Sequence, residues 1–452
     1  MEKSSKQDLN RNFIAIFLLY MAYFNCYMIL SVNIGNLLIY LPDTTAAGIA
    51  LLVAFQLLVQ IISVVFFGYH VSKVSEKDSR KKIFLISNSM ICIGYFMVAI
   101  SINFAMFFIF SVIAVIGNGA FLSIGFAIIG DSFPPEERGN KFGLMNFALL
   151  MGSGGGIIFG GLIGRIGPIG WRLAYCFAAC LVLGAVILYF LHGIEVTKGQ
   201  ADPEFSDLEA DIQNYDYKIT FSNFSQILKK KSVAGIYIVV ILTNVTATTM
   251  GIWAIYYISM KIDAPDAAFI AALLVILTGI GALFGTIFGG KMGDSLSQKG
   301  KLKGRAVISL FATFLATIGG VIFYLILPFN ANTLIFSFML FFIVGFISMF
   351  LGSIPAGNVY AIYSEVCVPE NRGLANAMNG LMAKAGGIIG NLIISVLIIS
   401  SISNLRLAVV ILLSISLIGS FLWLLPFFYY PKEAQKLRDL MAERRKELEL
   451  RK

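Results

Sequence analysis

The chain has 452 residues, of which 58% are hydrophobic and 13% are charged, whereas an ordinary soluble protein carries about a quarter charged residues. A soluble protein of this length still needs a charged coat, so the composition excludes an ordinary soluble domain and favours lipid as the solvent. The formal net charge is +9, but the basic residues are spread over loops between apolar runs, which argues against nucleic-acid binding.

Apolar runs long enough to cross a bilayer recur along the whole chain. A helix needs about 20 mostly apolar residues to span roughly 30 Å of hydrocarbon, and an open sheet edge cannot sit in lipid. We therefore predict an all-α membrane protein with twelve transmembrane helices. The predicted spans are 12–37, 46–71, 82–102, 105–130, 141–164, 170–192, 233–259, 267–290, 305–328, 331–362, 372–399 and 405–430.

The first span is expected to remain as an anchor. Residues 1–11 are charged and polar, and the apolar run after them is too long for a signal peptide and lacks a small-residue cleavage site. The five cysteines lie within or at the ends of apolar runs and show no metal-like Cys-x-x-Cys spacing, so we interpret them as packing residues, with no metal or cofactor. They are Cys26, Cys92, Cys176, Cys180 and Cys367.

The distribution of basic residues predicts the topology, because Lys and Arg near helix ends are retained in the cytoplasm. With the N-terminus placed in the cytoplasm, 29 of the 34 basic residues fall in cytoplasmic segments and four on the opposite side. Those four are Arg165, Arg172, Lys261 and Arg406. Both termini are thus predicted to be cytoplasmic in a multi-pass protein of the plasma membrane, where loop cations contact anionic lipids.

The longest polar interval, 193–231, carries clustered acidic residues and is interpreted as a linker between two halves. The predicted organisation is a cytoplasmic N-terminus, a six-helix bundle, a cytoplasmic central loop, a second six-helix bundle and a cytoplasmic tail. The boundaries are 1–11, 12–192, 193–232, 233–430 and 431–452.

An internal repeat supports this division. A shift of 234 positions gives nine identities at equivalent topological positions, and it also aligns Asp131 with Glu365. The nine identities include Pro135-Glu136 with Pro369-Glu370, Arg138-Gly139 with Arg372-Gly373, Gly152 and Gly156 with Gly386 and Gly390, and Arg172-Leu173-Ala174 with Arg406-Leu407-Ala408. Two pseudo-symmetric six-helix halves descended from one unit explain this pattern.

The loops after the second and eighth spans share a further pattern, in which glycine is followed by basic residues. With the acidic, Pro and Arg-Gly residues of the 4/5 and 10/11 loops, the chain resembles the major facilitator superfamily (MFS) over nearly its whole length. In the first-half motif, Ser72 stands where that family usually has Asp, so the gating charge there is weaker or supplied elsewhere. The resemblance nominates as gating residues Gly68, Lys73, Arg80, Asp131, Arg138, Gly139, Gly290, Asp294, Glu365, Arg372 and Gly373.

The fifth span is rich in glycine at spacings that resemble the antiporter-associated motif of this family, with Ile157 in place of its proline. Glycines at these steps let neighbouring backbones approach closely and slide, although helix packing alone also explains them. The glycines are Gly143, Gly152, Gly156, Gly160 and Gly161.

Lys384 is predicted to lie near the middle of span eleven, where a lysine costs roughly 2.5–3.5 kcal/mol on insertion scales. Two interpretations stay open: a counter-charge for an anionic substrate, or a partner of a helix terminus or neighbouring carbonyl. In the family the central cavity is lined mainly by spans 1, 4, 7 and 10, with spans 2, 5, 8 and 11 alongside. The resemblance therefore nominates for substrate binding Asn25, Gln56, Asn118, Asn146, Asn244, Thr248, Asn358, Asn379 and Lys384.

The chain is thus expected to be a secondary active or facilitative transporter of a small organic solute, working by alternating access. We expect it to be a monomer, with or without a co-transported ion. No acidic residue lies well inside a first-half span, which disfavours coupling to a buried carboxylate, although Asp131 and Glu365 keep proton coupling open. A spinster-like carrier of a lysolipid or other amphiphile is the alternative. A membrane enzyme or channel is disfavoured, since the sequence shows neither a catalytic motif nor a filter-like loop.

The topology gives the first testable prediction. Single cysteines introduced into 193–231 or 433–452 of a variant without the native cysteines should react with a membrane-impermeant maleimide only when the cytoplasmic side is exposed. Labelling of either segment from outside intact cells would contradict the assigned orientation.

Overall fold

The structure, a computed structural model, describes residues 6–73, 80–196, 221–264, 266–330 and 333–450. These residues form helices and loops and contain no strand. Twelve helical stretches among them are long and apolar enough to cross a membrane. The predicted all-α architecture and number of spans are therefore confirmed, while 197–220 of the predicted central loop lies outside the described residues.

The chain divides into two compact units, Met1–Tyr217 and Lys218–Lys452. The described helices of the first unit are α1 Lys6–Tyr40, α2 Ala46–Lys73, α3 Arg80–Ala99, α4 Phe104–Ala120, α5 Phe126–Ser132, α6 Pro135–Gly164 and α7 Gly170–His192. A π-helical turn, Phe121–Gly125, joins α4 to α5, so that both belong to the fourth span.

The second unit begins with a short helix before its first span. Its described helices are α8 Phe221–Leu228, α9 Lys231–Ser259, α10 Ala267–Gln298, α11 Lys303–Val321, α12 Leu334–Ser353, α13 Pro355–Val366, α14 Pro369–Ile398, α15 Leu405–Phe421 and α16 Leu424–Leu450. Pro355 in the first turn of α13 separates it from α12 within the tenth span, since proline lacks the N–H that a continuous helix would use.

Several helices extend beyond the predicted apolar runs. The helix α1 begins at Lys6, and α16 continues from the twelfth span to Leu450. Hydropathy marks only the part of a helix that meets hydrocarbon, and charged turns prolong the helix outside it.

Close backbone contact at glycines holds α1 against α6. A Cβ atom added at Gly152 would lie 2.2 Å from the Met21 carbonyl oxygen, and one added at Gly156 would lie 2.2 Å from the Asn25 carbonyl oxygen. There is no room for a side chain at Gly152 or Gly156. Gly160 also faces α1, whereas a Cβ at Gly143 or Gly161 would meet nothing within 4 Å.

The second unit repeats this contact between α9 and α14. A Cβ atom added at Gly386 would lie 2.2 Å from the Ile241 carbonyl oxygen, and one added at Gly390 would lie 2.2 Å from the Val245 carbonyl oxygen. Since Gly386 and Gly390 are the counterparts of Gly152 and Gly156 in the repeat, both units use one packing solution for their first and fifth spans.

Two arginines of the repeat have matching positions as well. Arg172 in α7 donates to the carbonyls of Ala99 and Ser101, at 3.1 and 2.5 Å, where α3 ends. Arg406 in α15 donates to the Leu325 carbonyl at 3.4 Å, near the end of the ninth span. A cation at a helix C-terminus satisfies carbonyls that lack partners in the helix.

The contact of α1 with α6 predicts unequal effects of adding one methyl group to two glycines of the same helix. Gly156→Ala should destabilise the protein by about 1–3 kcal/mol because the two backbones must separate. Gly161→Ala, in open space, should have little effect. Thermal unfolding in detergent, followed by fluorescence-detected size-exclusion chromatography, measures both, and equal melting temperatures would contradict the packing role of Gly156.

Candidate functional site

A buried ion pair lies where the third and fourth spans of the first unit meet. Arg80 at the start of α3 donates from Nη1 to Asp131 Oδ2 at 2.8 Å, and its side chain is 7% exposed. Its Nη2 also donates to the Val196 carbonyl. The pair therefore joins α3, α5 and the residues after α7.

Glu195 reinforces this junction. Its carboxylate accepts hydrogen bonds from the backbone N–H groups of Arg80 and Lys81, at 2.9 and 3.1 Å. A carboxylate at a helix N-terminus satisfies donors that have no partner within the helix. The sequence did not indicate Glu195, whose one local signal is its place just after the apolar run of α7.

The second unit contains a corresponding cluster around Arg305 in α11. The guanidinium donates from Nη2 to Asp294 Oδ1 at 2.9 Å and lies 3.1 Å from Glu365 Oε1, and the Arg305 side chain is 5% exposed. Arg305 Nη1 also lies 3.4 Å from Asn358 Oδ1. The Tyr430 hydroxyl donates to Glu365, so α16 takes part in the cluster.

The two clusters follow the repeat. In each unit a buried arginine at the start of the third span binds an acid at the end of the fourth, and these acids, Asp131 and Glu365, are separated by the repeat offset. The C-terminal unit also has a carboxylate at a helix start, although at that of its first span and not its third: Glu433 accepts from the backbone N–H groups of Lys231 and Ser232, at 2.7 and 3.2 Å.

The other predicted gating residues lie on α2, α6, α10 and α14. Arg372 donates from Nε to the Cys367 carbonyl at 3.4 Å. Gly68 is on α2 and Gly290 on α10, and a Cβ at Gly290 or Gly373 would meet nothing within 4 Å. The side chains of Lys73 and Arg138 and the surroundings of Gly139 lie outside the part of the chain that the structure describes. A gating role of this set stays a prediction.

The polar candidates of the first unit differ in burial. Asn25, Gln56 and Asn118 are buried, at 5%, 9% and 2% exposure, while Asn146 is exposed on α6. The amide oxygen of Asn25 is buried and has no hydrogen-bond partner within the described residues. An unsatisfied amide oxygen between packed helices is costly, so Asn25 is the candidate of this unit best able to use a ligand donor.

Apart from Lys384, the polar candidates of the second unit form hydrogen bonds with other residues of the protein. Asn358 donates to the Gly289 and Ile354 carbonyls, at 3.3 and 3.4 Å, and Asn379 accepts from the Tyr363 hydroxyl at 2.8 Å. Both therefore have structural partners. On α9, the Thr248 hydroxyl donates a hydrogen bond to Asn244 Oδ1 at 3.1 Å.

Lys384 lies half-buried on α14, 13 residues after Asn371 and 14 before Ile398, the ends of this span. At 1.5 Å per residue it is about 20 Å from either end, near mid-membrane. Two residues further on, a Cβ at Gly386 would lie 3.0 Å from the Asn244 Cβ. The lysine thus lies just before the helix contact at which α14 meets the Asn244 region of α9.

Two basic residues, Lys261 and Arg406, lie together at the end of this unit opposite to the Arg305 cluster. Lys261, in the loop after α9, donates to the Tyr324 carbonyl, and its neighbour Arg406 binds the adjacent Leu325 carbonyl. Burial, and to a smaller extent the charge of Arg406, lowers the pKa of Lys261 to about 8.

Within the described residues, no group of three or more His, Cys, Asp or Glu side chains is arranged to hold a metal ion.

Comparisons with known proteins concern the sequence and the fold of the whole chain. The profile of the Major Facilitator Superfamily matches residues 13–362. The fold is similar to that of a bacterial homologue of the human lysosomal transporter Spinster, with a TM-score of 0.76, 15% identity and coverage of 95% of this chain and 99% of that one. A D-xylose–proton symporter gives a TM-score of 0.66 at 15% identity, covering 91% of this chain and 96% of the symporter.

Curated relatives match over shorter stretches. Multidrug resistance protein 3 of Bacillus subtilis is 34% identical over 121 residues, 26% of this chain and 22% of the relative. A probable sphingolipid transporter, spinster homolog 1 of Arabidopsis thaliana, is 32% identical over 105 residues, 23% of this chain and 21% of the relative. Citrate exporter 1 of Aspergillus niger is 28% identical over 104 residues, 23% of this chain and 20% of the relative. The matched stretches thus span about a fifth of each relative, and the profile match over most of the chain shows that it belongs to the Major Facilitator Superfamily.

Proposed function

We propose that this protein is a secondary active or facilitative transporter that moves a small organic anion across the membrane by alternating access. Family membership and the two six-helix units with matching ion pairs support a transport function. The observation that carries the choice of an anion is the position of Lys384 at the middle of its span. The name of one relative, a citrate exporter, is in keeping with that choice.

The energetic argument rests on the cost of Lys384. An ammonium group at mid-membrane costs roughly 2.5–3.5 kcal/mol on insertion scales, and such residues face protein or a water-filled cavity. Span eleven around it is rich in small and polar residues, among them Asn376, Asn379 and Gly380, which leaves room for water or solute. A substrate carboxylate would offset the cost through a charge-assisted hydrogen bond.

The same proposal gives Asp131 and Glu365 a gating role, because each is already bonded to a buried arginine. Breaking and remaking such bonds at helix ends is one way to alternate between two access states. The protein would act as a monomer in the plasma membrane, with both termini in the cytoplasm, and a co-transported ion would show itself as a dependence of transport on the gradient of that ion.

A spinster-like carrier of a lysolipid is the second candidate. Its support is the match to the Arabidopsis spinster homolog and the fold similarity to the bacterial Spinster homologue. Uptake into proteoliposomes separates the candidates: saturable movement of benzoate with countertransport supports the organic anion, and movement of lysophosphatidylcholine alone supports the lipid carrier. Absence of countertransport with either solute would refute a carrier.

Lys384→Gln should weaken binding of benzoate by about tenfold to a hundredfold, because a hydrogen bond to a charged group contributes roughly 1.5–3 kcal/mol. Binding of benzamide, which has a similar shape and no charge, should change little. Titration of both ligands into purified protein in nanodiscs measures the difference.

Two variants control this experiment. Lys384→Arg keeps the charge and should retain part of the benzoate affinity, while Lys261→Gln removes a half-buried lysine outside the span and should leave both affinities unchanged. Equal losses for benzoate and benzamide in Lys384→Gln would show that Lys384 is structural.

The ion pairs predict an effect on rate. Arg80→Gln and Arg305→Gln should each change the transport rate by about tenfold or more and change substrate affinity less, because a lost charged hydrogen bond alters the balance of access states by roughly 1.5–3 kcal/mol. A smaller effect of the same kind is expected for Arg138→Ala and Arg372→Ala. Rates are measured in proteoliposomes and affinities by titration, with Arg406→Gln at the opposite end as the control. Rates equal to wild type would reduce these arginines to topology markers.

A further inference from the structure

The second unit contains a partly open cavity of about 290 Å³, and none of the nominated substrate-binding residues lines it. Residues of α9, α10, α11, α12 and α15 surround it, together with the π-helical turn after α11. Small residues on several of these helices leave the space empty. They include Ala247 and Gly251 on α9, Ala316 and Gly320 on α11, and Gly345 and Gly352 on α12.

The cavity has a buried wall and an accessible side. Thr278, Thr317 and Phe323 form part of the wall, at 2%, 6% and 5% exposure. On α9 and α12, by contrast, the lining residues Gly251 and Gly352 are exposed. The cavity therefore opens between spans seven and ten. By the family resemblance, these two spans also line the central cavity.

The lining determines which chemical groups fit. Among the described residues, no side chain that lines the cavity is charged, so an ion inside would lose its hydration without gaining a charged partner. Six of the lining hydroxyl groups already donate their protons to backbone carbonyls, as Thr246 does to Leu412 at 2.6 Å and Ser348 to Ala316 at 2.9 Å. The other four are Thr243, Thr278, Thr313 and Thr317.

We propose that this cavity is a subsite for an uncharged apolar group of the transported solute, which makes the substrate an organic acid with a ring or short chain attached. The volume is at the lower end of ligand pockets, which are about 300–1,000 Å³, so it suits one such group and not a whole large molecule. The inference rests on the proposed function, in which Lys384 binds the acid group on α14, the helix that packs against α9.

A lipid acyl chain has the same chemistry as the apolar part of a solute, and the test must separate the two. Gly251→Leu is chosen to fill the cavity, because Gly251 lines it and a Cβ there would meet no described atom within 4 Å. Gly352→Leu fills it from α12, where the nearest atom to a new Cβ is the Ala316 Cβ at 3.5 Å. Gly279→Leu is the matched control, since its Cβ also meets nothing within 4 Å and it does not line the cavity.

The probes are acetate, benzoate and 4-phenylbutanoate, titrated into wild type and variants in nanodiscs. In wild type and Gly279→Leu, affinity should rise by about tenfold to a hundredfold from acetate to 4-phenylbutanoate, as expected for burial of an aromatic ring. In Gly251→Leu and Gly352→Leu this rise should shrink to a few-fold, because the added leucine leaves the aromatic ring only partly buried.

A full rise in affinity in both filled variants would overturn the subsite. So would a lipid that copurifies with wild type and is lost from Gly251→Leu, as detected by native mass spectrometry, if binding of the three acids is unchanged. Lys384→Gln should lower the affinity for all three acids by one factor. If it lowers none while Gly251→Leu removes the rise, the anion part of the proposed function fails and the subsite stands.

Discussion

Direct contact between helix backbones is the constraint on which the rest of this structure depends. Apolar surface gains nothing by leaving lipid for another apolar surface, so helices in a membrane associate through close packing and hydrogen bonds. Gly152 and Gly156 allow α6 to touch the backbone of α1, and Gly386 and Gly390 allow α14 to touch α9. These contacts fix how each fifth span is rotated, and thereby where Lys384 lies on the second unit.

The arginine clusters solve a different physical problem, which is the burial of charge at helix ends. The side chains of Arg80 and Arg305 are 7% and 5% exposed, and a buried guanidinium without a carboxylate would cost several kcal/mol. Asp131 and Glu365 supply that carboxylate at equivalent places. Because each pair joins helices that are distant in sequence, its loss would free several helix ends together, and this is the property on which the proposed gating role rests.

In our proposal, binding chemistry in the second unit is divided between two places. Lys384 provides charge on α14, and a cavity without charged side chains lies between α9, α12 and their neighbours. A solute with both an acid group and an apolar group could use the two together, which favours specificity, since each place alone accepts many molecules.

The sequence by itself determined the helical class, the twelve spans, the two-fold repeat and the resemblance to the family, because hydropathy and loop charge are local properties of each segment. It did not determine which residues contact one another. Arg80 with Asp131, and Glu195 with the start of α3, became visible only in the structure. Likewise Gly156 touches a backbone while Gly251 faces empty space. Both are glycines in apolar helices, and only the rotation and spacing of the neighbouring helices, which depend on residues far away in the chain, make one a contact and the other a cavity wall.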